Sequence, residues 1–304
     1  MSTLMSMVTL SSFLSLMGFG LTLVRRTTGV WNIAQGGFVS IGTYVILTSV
    51  NFLGGSPYLY LPLAFLIGAG AGSVLFLVAI DPLRKRKASP IILLVATIAF
   101  NLTLIGVINI YADYLQNVFR INSKNFLLTK LDFKIFGYPG VSIISALILL
   151  VFTILFYLFL KYTKTGLTLR GSTEQPDLAG VLGVNIKFVY LLSWTLSGGS
   201  AGLAGGLLTM FFQCNPNIGA SLIAMMFCVS IIGGVEEIYG PFLGGWLVGF
   251  TQIYGIVLLV KVLGSWVISY KEILPMIILV ITLIFIPQGL SGIKWGAKVR
   301  SKKS

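Results

Sequence analysis

The chain has 304 residues, a net charge of +13 and only 10% charged residues, while 56% of its residues are hydrophobic. Its mean hydropathy is +0.97, and a soluble domain carries about 25% charged residues to solvate its surface, so an ordinary soluble domain is excluded. The sequence contains no histidine, which excludes histidine metal sites, histidine general bases and Ser-His-Asp triads.

Nine apolar segments recur along the chain. They cover residues 4–24, 36–53, 58–80, 91–112, 141–160, 188–212, 221–235, 241–260 and 273–286. About 20 helical residues cross a ~30 Å hydrocarbon core, and in lipid every backbone polar group must be paired within the protein. The sequence therefore predicts an all-α, polytopic transmembrane helical bundle of about eight or nine membrane segments, in a single domain over residues 1–304. The second, seventh and ninth segments are short or interrupted by glycine, which makes them candidates for half-helices.

Lysine and arginine concentrate in the cytoplasmic loops of membrane proteins, so their positions predict orientation. Placing the run 84–87 (RKRK) inside also puts Arg25, Arg26, the loop 161–187 and the basic tail 287–304 on the cytoplasmic side. We therefore expect a multi-pass protein of the cell (plasma or inner) membrane, with its N-terminus outside and its C-terminus inside. The tail then marks orientation beside anionic lipid, and nucleic-acid binding is not expected.

The longest external segment is the loop 113–140. Within it Leu131, Phe133 and Ile135 alternate with polar residues, which is the period of a short strand, and 138–140 (YPG) is typical of a turn. The loop is long enough to be a docking surface for an extracytoplasmic partner or a lid over helix ends, and both interpretations stay open.

The stretch 27–37 (TTGVWNIAQGG) is polar and rich in glycine, although it lies between two apolar segments. Non-helical backbone at membrane depth occurs only where protein buries it or where it lines a cavity, and broken helices form substrate sites in transporters. This stretch is therefore a candidate pathway region. The alternative is an ordinary cytoplasmic turn.

The fourth apolar segment carries Thr97, Asn101 and Asn109, whose spacing by four and eight places them near one helical face. An amide that faces lipid is costly, so this face is expected to point into the protein. There it either bonds to other helices, which is the commoner use, or lines a pathway.

A short helix is predicted within the internal loop 161–187. Ser172 or Thr173 can cap its N-terminus. Glu174 and Asp177 suit the positive end of its dipole, and a later glycine can end it in a left-handed conformation.

This predicted helix has one apolar face, because Leu178, Val181 and Leu182 follow a spacing of three and four residues. Such a face on the cytoplasmic side needs a partner. The partner is either the membrane surface or another protein, such as a second soluble subunit.

Residues 166–173 (GLTLRGST) resemble the phosphate-binding pattern G-x-x-x-x-G-K-[ST]. The lysine that must reach the phosphates is missing and no buried strand precedes the pattern, so we reject it. The chain is expected to bind no cofactor and no metal. If ATP drives the protein, another chain holds the ATP and magnesium and hydrolyses the nucleotide.

Glycines spaced by four residues form three stripes. They are Gly68 with Gly72, Gly198 with Gly202 and Gly206, and Gly240 with Gly244. Such stripes let another helix backbone approach closely, so they predict packed helices rather than chemistry.

Several stretches together resemble one transporter family in order and spacing, over most of the chain. They are GLTLVRRTTGVWNIAQGGFVSIGTYV, DPLRKRKASPIILLVATIAF, GLTLRGSTEQPDLAGVLGVNIKFVYLLSWTLSGGSAGLAGGLL, SIIGGVEEIYGPFLGGWLVGF and IPQGLSG. The chain resembles the permeases of branched-chain amino acid ABC importers, and within them the shorter H-type membrane subunit.

The resemblance implies a complex. In it, this chain pairs with a related M-type permease or with a second copy of itself, sits on two cytoplasmic ATPase subunits and receives solute from an extracytoplasmic solute-binding protein. It also implies alternating access for branched-chain or related hydrophobic amino acids, driven by ATP binding to the partner chains.

Site residues follow from the same analogy and from the faces described above. The pathway residues are Asn32, Gln35, Gly36 and Gly37, with Thr97 and Asn101 on the neighbouring segment. The residues that couple to the ATPase are Glu174, Asp177, Leu178, Gly180, Val181, Leu182 and Gly183. None of these residues is expected to perform covalent chemistry, so the chain itself is not expected to be an enzyme.

Three alternatives bear on this interpretation. An ion-coupled secondary transporter would carry an acidic residue in mid-membrane, but all eight acids map to loops or helix ends. A membrane enzyme would need a cluster of histidine, cysteine or paired carboxylates, and the sequence shows no such cluster. A permease of the same fold for a sugar or for another amino acid or amide stays open, because the family pattern Asn-Phe-Ala-His-Gly is replaced here by Asn-Ile-Ala-Gln-Gly at 32–36, and Glu236 and Glu237 replace a more neutral turn.

Overall fold

The computed structural model describes residues 3–135, 137–174, 185–270, 273–286 and 288–292. This part of the chain is almost entirely helical, which confirms the predicted all-α polytopic bundle. Its helices are α1 (Thr3–Thr28), α2 (Gln35–Leu53), α3 (Leu61–Leu75), α4 (Asp81–Lys85), α5 (Pro90–Phe119), α6 (Gly140–Tyr162), α7 (Lys164–Glu174), α8 (Ile186–Leu208), α9 (Ile218–Gly233), α10 (Gly240–Phe250), α11 (Ile256–Leu263) and α12 (Ile273–Phe285).

Seven helical stretches of the described chain are long and apolar enough to cross a membrane. α3 continues through a π-helical turn at Phe76–Ile80 into α4, and α10 continues through another at Thr251–Gly255 into α11. α8 has 23 residues but is rich in glycine and serine. α9 has 16 residues, or about 24 Å, and is too short to cross the hydrocarbon core alone. Each of the nine predicted apolar segments therefore coincides with a helix.

Local signals set the ends of the helices. α5 begins at Pro90, which suits a first turn because the missing N–H would have no partner there. The same helix ends at Arg120, which takes the left-handed conformation with φ +56. α2 ends before Gly54, whose positive φ of +73 favours glycine.

α1 lies at the centre of the bundle, where it packs against α6, α8, α9 and α10. Ser11 and Ser15 of α1 lie against Gly249 and Gly245 of α10, and a Cβ on either glycine would overlap the serine backbone. Small residues thus bring the two helices into backbone contact, as in many membrane bundles.

Two of the predicted glycine stripes form the contact between α3 and α8. Gly68 and Gly72 of α3 face Gly198 and Gly202 of α8, so closely that a Cβ on any of the four would overlap backbone atoms of the other helix. The packing role predicted for these glycines is confirmed.

Two ends of the bundle differ in composition. We call the end that carries Arg25, Arg26 and residues 84–87 the basic end, and the opposite end the loop end. The segment that leaves α5 at the loop end, residues 120–131, is named the strap.

Backbone hydrogen bonds hold the strap across the connection between α8 and α9. Phe126 and Cys214 exchange two of them, at 3.0 and 2.8 Å, and the Leu128 N–H donates to the Thr209 carbonyl at 2.8 Å. The Tyr44 hydroxyl of α2 also donates to a strap carbonyl, at 2.6 Å. The strap therefore lies over α2 and α8 rather than beside the bundle.

A small hairpin follows the strap and corrects one prediction. The expected strand is confirmed as β1 (Lys134–Ile135), which pairs antiparallel with β2 (Tyr138–Pro139). The predicted turn at Tyr138-Pro139-Gly140 is wrong, because Tyr138 and Pro139 belong to β2 and Gly140 begins α6. Gly137, with φ +81, immediately precedes β2 in the reversal. α5 also extends to Phe119, past the predicted start of this loop.

The internal loop begins with α7. This helix runs through Gly166, so the stretch that resembled a phosphate-binding loop is helical and its rejection is confirmed. Ser172 and Glu174 lie in the last turn of α7, so a helix N-terminus capped at Ser172 or Thr173 is wrong. α7 has its own cap, Thr163, whose Oγ1 accepts the Gly166 N–H at 2.9 Å.

The rest of the predicted coupling helix lies outside the described residues. These positions are Asp177, Leu178, Gly180, Val181, Leu182 and Gly183. The basic tail beyond residue 292 also lies outside them.

Candidate functional site

The candidate site is built around the interruption between α1 and α2. At the basic end the chain leaves α1 through Gly29, with φ +75, and Arg25 donates a hydrogen bond to the Gly29 carbonyl. It then turns into the bundle, where Val30, Asn32 and Ala34 are all buried. A turn on the cytoplasmic surface, the alternative raised by the sequence, is therefore wrong.

Gln35 starts α2 and reaches the middle of two other helices. Its Nε2 donates to the carbonyls of Met17 in α1 and Ser197 in α8, at 3.2 and 3.3 Å. Its Oε1 accepts from Ser197 Oγ at 2.7 Å and from Asn32 Nδ2 at 3.1 Å. Met17 and Ser197 lie near the midpoints of their helices, so α2 begins inside the bundle rather than at its surface.

α5 supplies the partners that the start of α2 lacks. Ala34 precedes α2, and its methyl side chain cannot accept a hydrogen bond from the first turn of the helix. Asn101 Oδ1 accepts the Gly37 N–H at 2.9 Å, and Thr97 Oγ1 accepts the Ile33 N–H at 3.2 Å. These side chains accept hydrogen bonds from backbone N–H groups that would otherwise be buried without a partner. In lipid each such unpaired group costs roughly several kcal/mol.

A second interrupted helix meets the first. α9 begins after Asn215, Pro216 and Asn217, and its Gly219 N–H donates to Ser40 Oγ of α2 at 3.1 Å. Gly36 and Gly219 are in backbone contact, because a Cβ on either would overlap the carbonyl of the other. We call this contact between the starts of α2 and α9 the junction.

Two buried polar atoms near the junction have no hydrogen-bond partner among the described residues. They are Asn32 Oδ1 and Trp194 Nε1, on side chains that are both 0% exposed. Trp194 lies one turn before Ser197 on α8, and Asn32 lies three residues before Gln35. Both therefore lie on the basic-end side of the Gln35–Ser197 contact.

The structure brings the six predicted pathway residues together. Asn32, Gln35, Gly36, Gly37, Thr97 and Asn101 all surround the start of α2. They are buried and most bond to one another or to neighbouring backbone, so in this conformation they hold the interruption in place. Their part in solute passage stays a prediction.

Sequence reasoning missed three members of the site, Ser40, Ser197 and Gly219. The available signal for Gly219 was the run Asn215-Pro216-Asn217 between two apolar segments, which repeats the polar character of the first interruption. Ser40 and Ser197 gave no such signal, because serine is common throughout these helices.

A second cluster fixes the basic end. Asp81 of α4 forms ion pairs with Lys85, at 2.9 Å, and with Lys187 of α8, at 3.0 Å. Arg84 donates to the Thr28 carbonyl at 3.2 Å and stacks over the ring of Tyr190. These contacts tie the end of α4 to the ends of α1 and α8, next to the segment predicted to couple to an ATPase.

A membrane-spanning bundle in which two helices are interrupted inside the protein defines the class as a membrane transporter. The family described as branched-chain amino acid transport system, permease component, matches residues 3–283. The chain belongs to this family.

Named relatives agree with the family. The chain is 38% identical over 285 residues to the probable branched-chain amino acid transport permease protein LivH of Methanocaldococcus jannaschii, covering 94% of this chain and 90% of the relative. It is 27% identical to LivH of Escherichia coli K12, covering 81% and 82%. It is 25% identical to a tyrosine transport system permease protein of Clostridioides difficile, covering 77% and 73%. No solved structure matches the chain at a significant level.

Proposed function

We propose that the chain forms the translocation pathway for branched-chain or related hydrophobic amino acids in an ATP-driven importer. The relative at 38% identity is named as a probable branched-chain amino acid transport permease, and the enterobacterial relatives are named as high-affinity branched-chain amino acid permeases. A permease for a different amino acid is the second candidate, because one relative is a tyrosine permease.

The junction is the observation that carries the proposal. Two helix starts meet inside the bundle, and the positive ends of such helices favour negatively charged or polar solute groups. The closest contact across the junction is between Gly36 and Gly219, and the Gly219 N–H donates a hydrogen bond to Ser40 Oγ there. A contact between two glycines with one such bond can open by a small shift. Polar side chains then line one side of the opening, and they are Asn32, Gln35, Thr97 and Asn101.

Exposed polar groups beside the junction support a second permease chain as the other wall. Asn217 and Ser221, which flank Gly219 of the junction on either side in the chain, are exposed. Such polar groups are unfavourable beside lipid tails and favourable beside a partner helix or a solute pathway. The partner is a related M-type chain or a second copy of this one.

Energy is proposed to come from two cytoplasmic ATPase subunits at the basic end. The positive-inside rule supports this end as the cytoplasmic one, with the C-terminus inside and the N-terminus at the loop end. Within the described chain the acidic residues of α4 and α5 sit in ion pairs near helix ends, which offers no ion carrier in mid-bundle. The segment from Glu174 to Gly183 is proposed to couple to those subunits, and this chain itself to catalyse nothing.

The test is uptake into proteoliposomes that hold this chain, its partner permease and the ATPase, with the solute-binding protein outside. Uptake of labelled leucine, isoleucine and valine should require internal ATP and should exceed uptake of tyrosine. Tyrosine uptake above leucine uptake would move the assignment to the second candidate. Uptake by this chain alone under an ion gradient would overturn the importer itself.

A further inference from the structure

A cavity of about 260 Å³ lies at the basic end, between the end of α1, the end of α4 and the start of α5. Thr28 and Val30 line it from the interruption, and Arg84 lines it from α4. Small-molecule pockets usually measure roughly 300–1,000 Å³, so this cavity has room for a small solute but not for a peptide. The junction glycines, Gly36 and Gly219, do not line it, so it is a separate space.

One part of the cavity wall is positively charged. Arg84 donates to the Thr28 carbonyl and lies over the Tyr190 ring, which leaves most of its five N–H donors without a partner among the described residues. The nearby carboxylate of Asp81 is held by two lysines, and within the described chain no acid pairs with Arg84. A guanidinium with free donors favours a carboxylate or a phosphate group.

The rest of the wall is mostly apolar. Val30 and Leu93 are buried, with 2% and 5% of their surface exposed, and Ala88 and Pro90 complete this part. Ligand pockets commonly combine apolar walls with a few polar groups that fix orientation. The cavity therefore matches an amino acid that places its carboxylate on Arg84 and its aliphatic side chain on the apolar wall. An inorganic phosphate would make no use of that wall.

The chain itself joins the cavity to the junction. Val30 begins the buried stretch that leads to Gln35, and within this stretch Asn32 is 0% exposed and its Oδ1 has no hydrogen-bond partner among the described residues. The ammonium group of an amino acid supplies the donor that this acceptor lacks. At the other side Gly29 and Pro90 are exposed, so the cavity opens toward the proposed cytoplasm.

We propose that this cavity is the last binding site of the solute before its release, where Arg84 binds the α-carboxylate and Val30 and Leu93 contact the aliphatic side chain. The inference rests on the proposed function, because it names a site for the solute of that importer. A lipid headgroup matches the cation alone, since such a group is polar throughout and Val30 and Leu93 form a buried apolar wall.

The experiment compares leucine with leucinol, which lacks the carboxylate, for binding to the complete nucleotide-free complex in phosphatidylcholine nanodiscs without the solute-binding protein. The wild type should bind leucine about tenfold or more tightly than leucinol, because only leucine forms a charge-assisted hydrogen bond with Arg84. Arg84→Gln should bring the two affinities within about twofold of each other. The ratio reports the carboxylate contact, since a loss of folded protein lowers the binding of both ligands alike.

A matched control and a second variant locate the effect. Arg86→Gln removes an exposed cation that does not line the cavity, and its ratio should stay within about twofold of the wild type. Ala88→Leu narrows the cavity, so it should weaken leucine about tenfold and weaken alanine, the smaller amino acid, clearly less. Equal losses for leucine and alanine would contradict a site that holds the aliphatic side chain.

An unchanged ratio in Arg84→Gln would overturn the release site. Phosphatidylglycerol nanodiscs should give the same ratio as phosphatidylcholine, and loss of the leucine preference there would assign the cavity to a lipid headgroup instead. ATP-driven leucine uptake by the wild-type complex tests the proposed function separately. If that uptake is present and the wild type shows no leucine preference, only the release site fails, whereas absent uptake removes the proposed function.

Discussion

The two interrupted helices begin in the same place but are held differently. The start of α2 is bonded to side chains and backbone of α1, α5 and α8 through Gln35, Thr97 and Asn101. The start of α9 is held by its own loop, where the Asn217 N–H donates to Asn215 Oδ1 at 2.8 Å, and by one bond from Gly219 to Ser40.

This difference indicates which half can move. A segment fixed to three helices shifts only if those helices shift, whereas a segment fixed to a loop can follow that loop. We therefore expect α2 to be the fixed side of the junction and α9, together with residues 209–217 that precede it, to be the moving side.

The largest effect is expected from a side chain that forces the two helix starts of the junction apart. Gly219→Ala adds a Cβ that overlaps the Gly36 carbonyl, so it should cost about 1–3 kcal/mol of stability and abolish uptake. Thermal unfolding in detergent and proteoliposome uptake measure the two effects. The control is Gly70→Ala on α3, where the added Cβ meets open space, and it should be neutral or slightly stabilising because alanine favours helix.

The next effect tests whether residues 209–217 move away from the strap. Phe126 and Cys214 exchange two backbone hydrogen bonds, which sets their Cα atoms at about 5.5 Å, a separation that a disulfide can span. Phe126→Cys, in a chain that also carries Cys228→Ala, should lose uptake about tenfold on oxidation and regain it on reduction. Full uptake by the oxidised protein would show that the strap and residues 209–217 do not separate during transport.

The pH dependence of that oxidation follows from burial. Burial raises the pKa of the Cys214 thiol to about 12, and disulfide exchange needs the thiolate. The disulfide should therefore form slowly at pH 7 and faster as the pH rises toward that pKa. The control chain carries Phe126→Cys with Cys214→Ser, and its uptake should not respond to oxidant.

A smaller effect is expected on the fixed side. Gln35→Leu removes four hydrogen bonds and leaves Ser197 Oγ without its acceptor, so it should cost about 1–3 kcal/mol of stability. Ser221→Ala, on an exposed residue near the same depth, should change stability by less than about 0.5 kcal/mol. A Gln35→Leu protein as stable as the wild type would contradict the assignment of α2 as the fixed side.

The smallest effect compares two asparagines on α5. Asn101 caps the Gly37 N–H, whereas Asn109 donates to the Ile105 carbonyl of its own helix. Asn101→Ala should therefore cost about 1 kcal/mol, as the loss of a helix cap does, and Asn109→Ala clearly less. Equal costs would mean that the cap from α5 does not hold α2.

Part of the candidate site was predictable from the sequence. The interruption at 27–37 is evident because a polar, glycine-rich stretch stands between apolar segments, and buried Thr97 and Asn101 follow from polar residues on one helical face. The pairing of Asn101 with Gly37 and of Gly219 with Gly36 was not predictable, because it joins residues far apart in the chain. The turn expected at Tyr138 failed because pairing with Lys134 and Ile135 made that segment a strand.

By itself the sequence determined the membrane helices, the glycine contacts and the family. The reason is that hydrocarbon forces each segment to satisfy its own backbone, so apolar length and glycine spacing predict helices locally. Only the tertiary structure decided that the starts of α2 and α9 meet and that the strap pairs with the segment leading into α9. Those contacts depend on how all the helices pack together, and no local pattern encodes them.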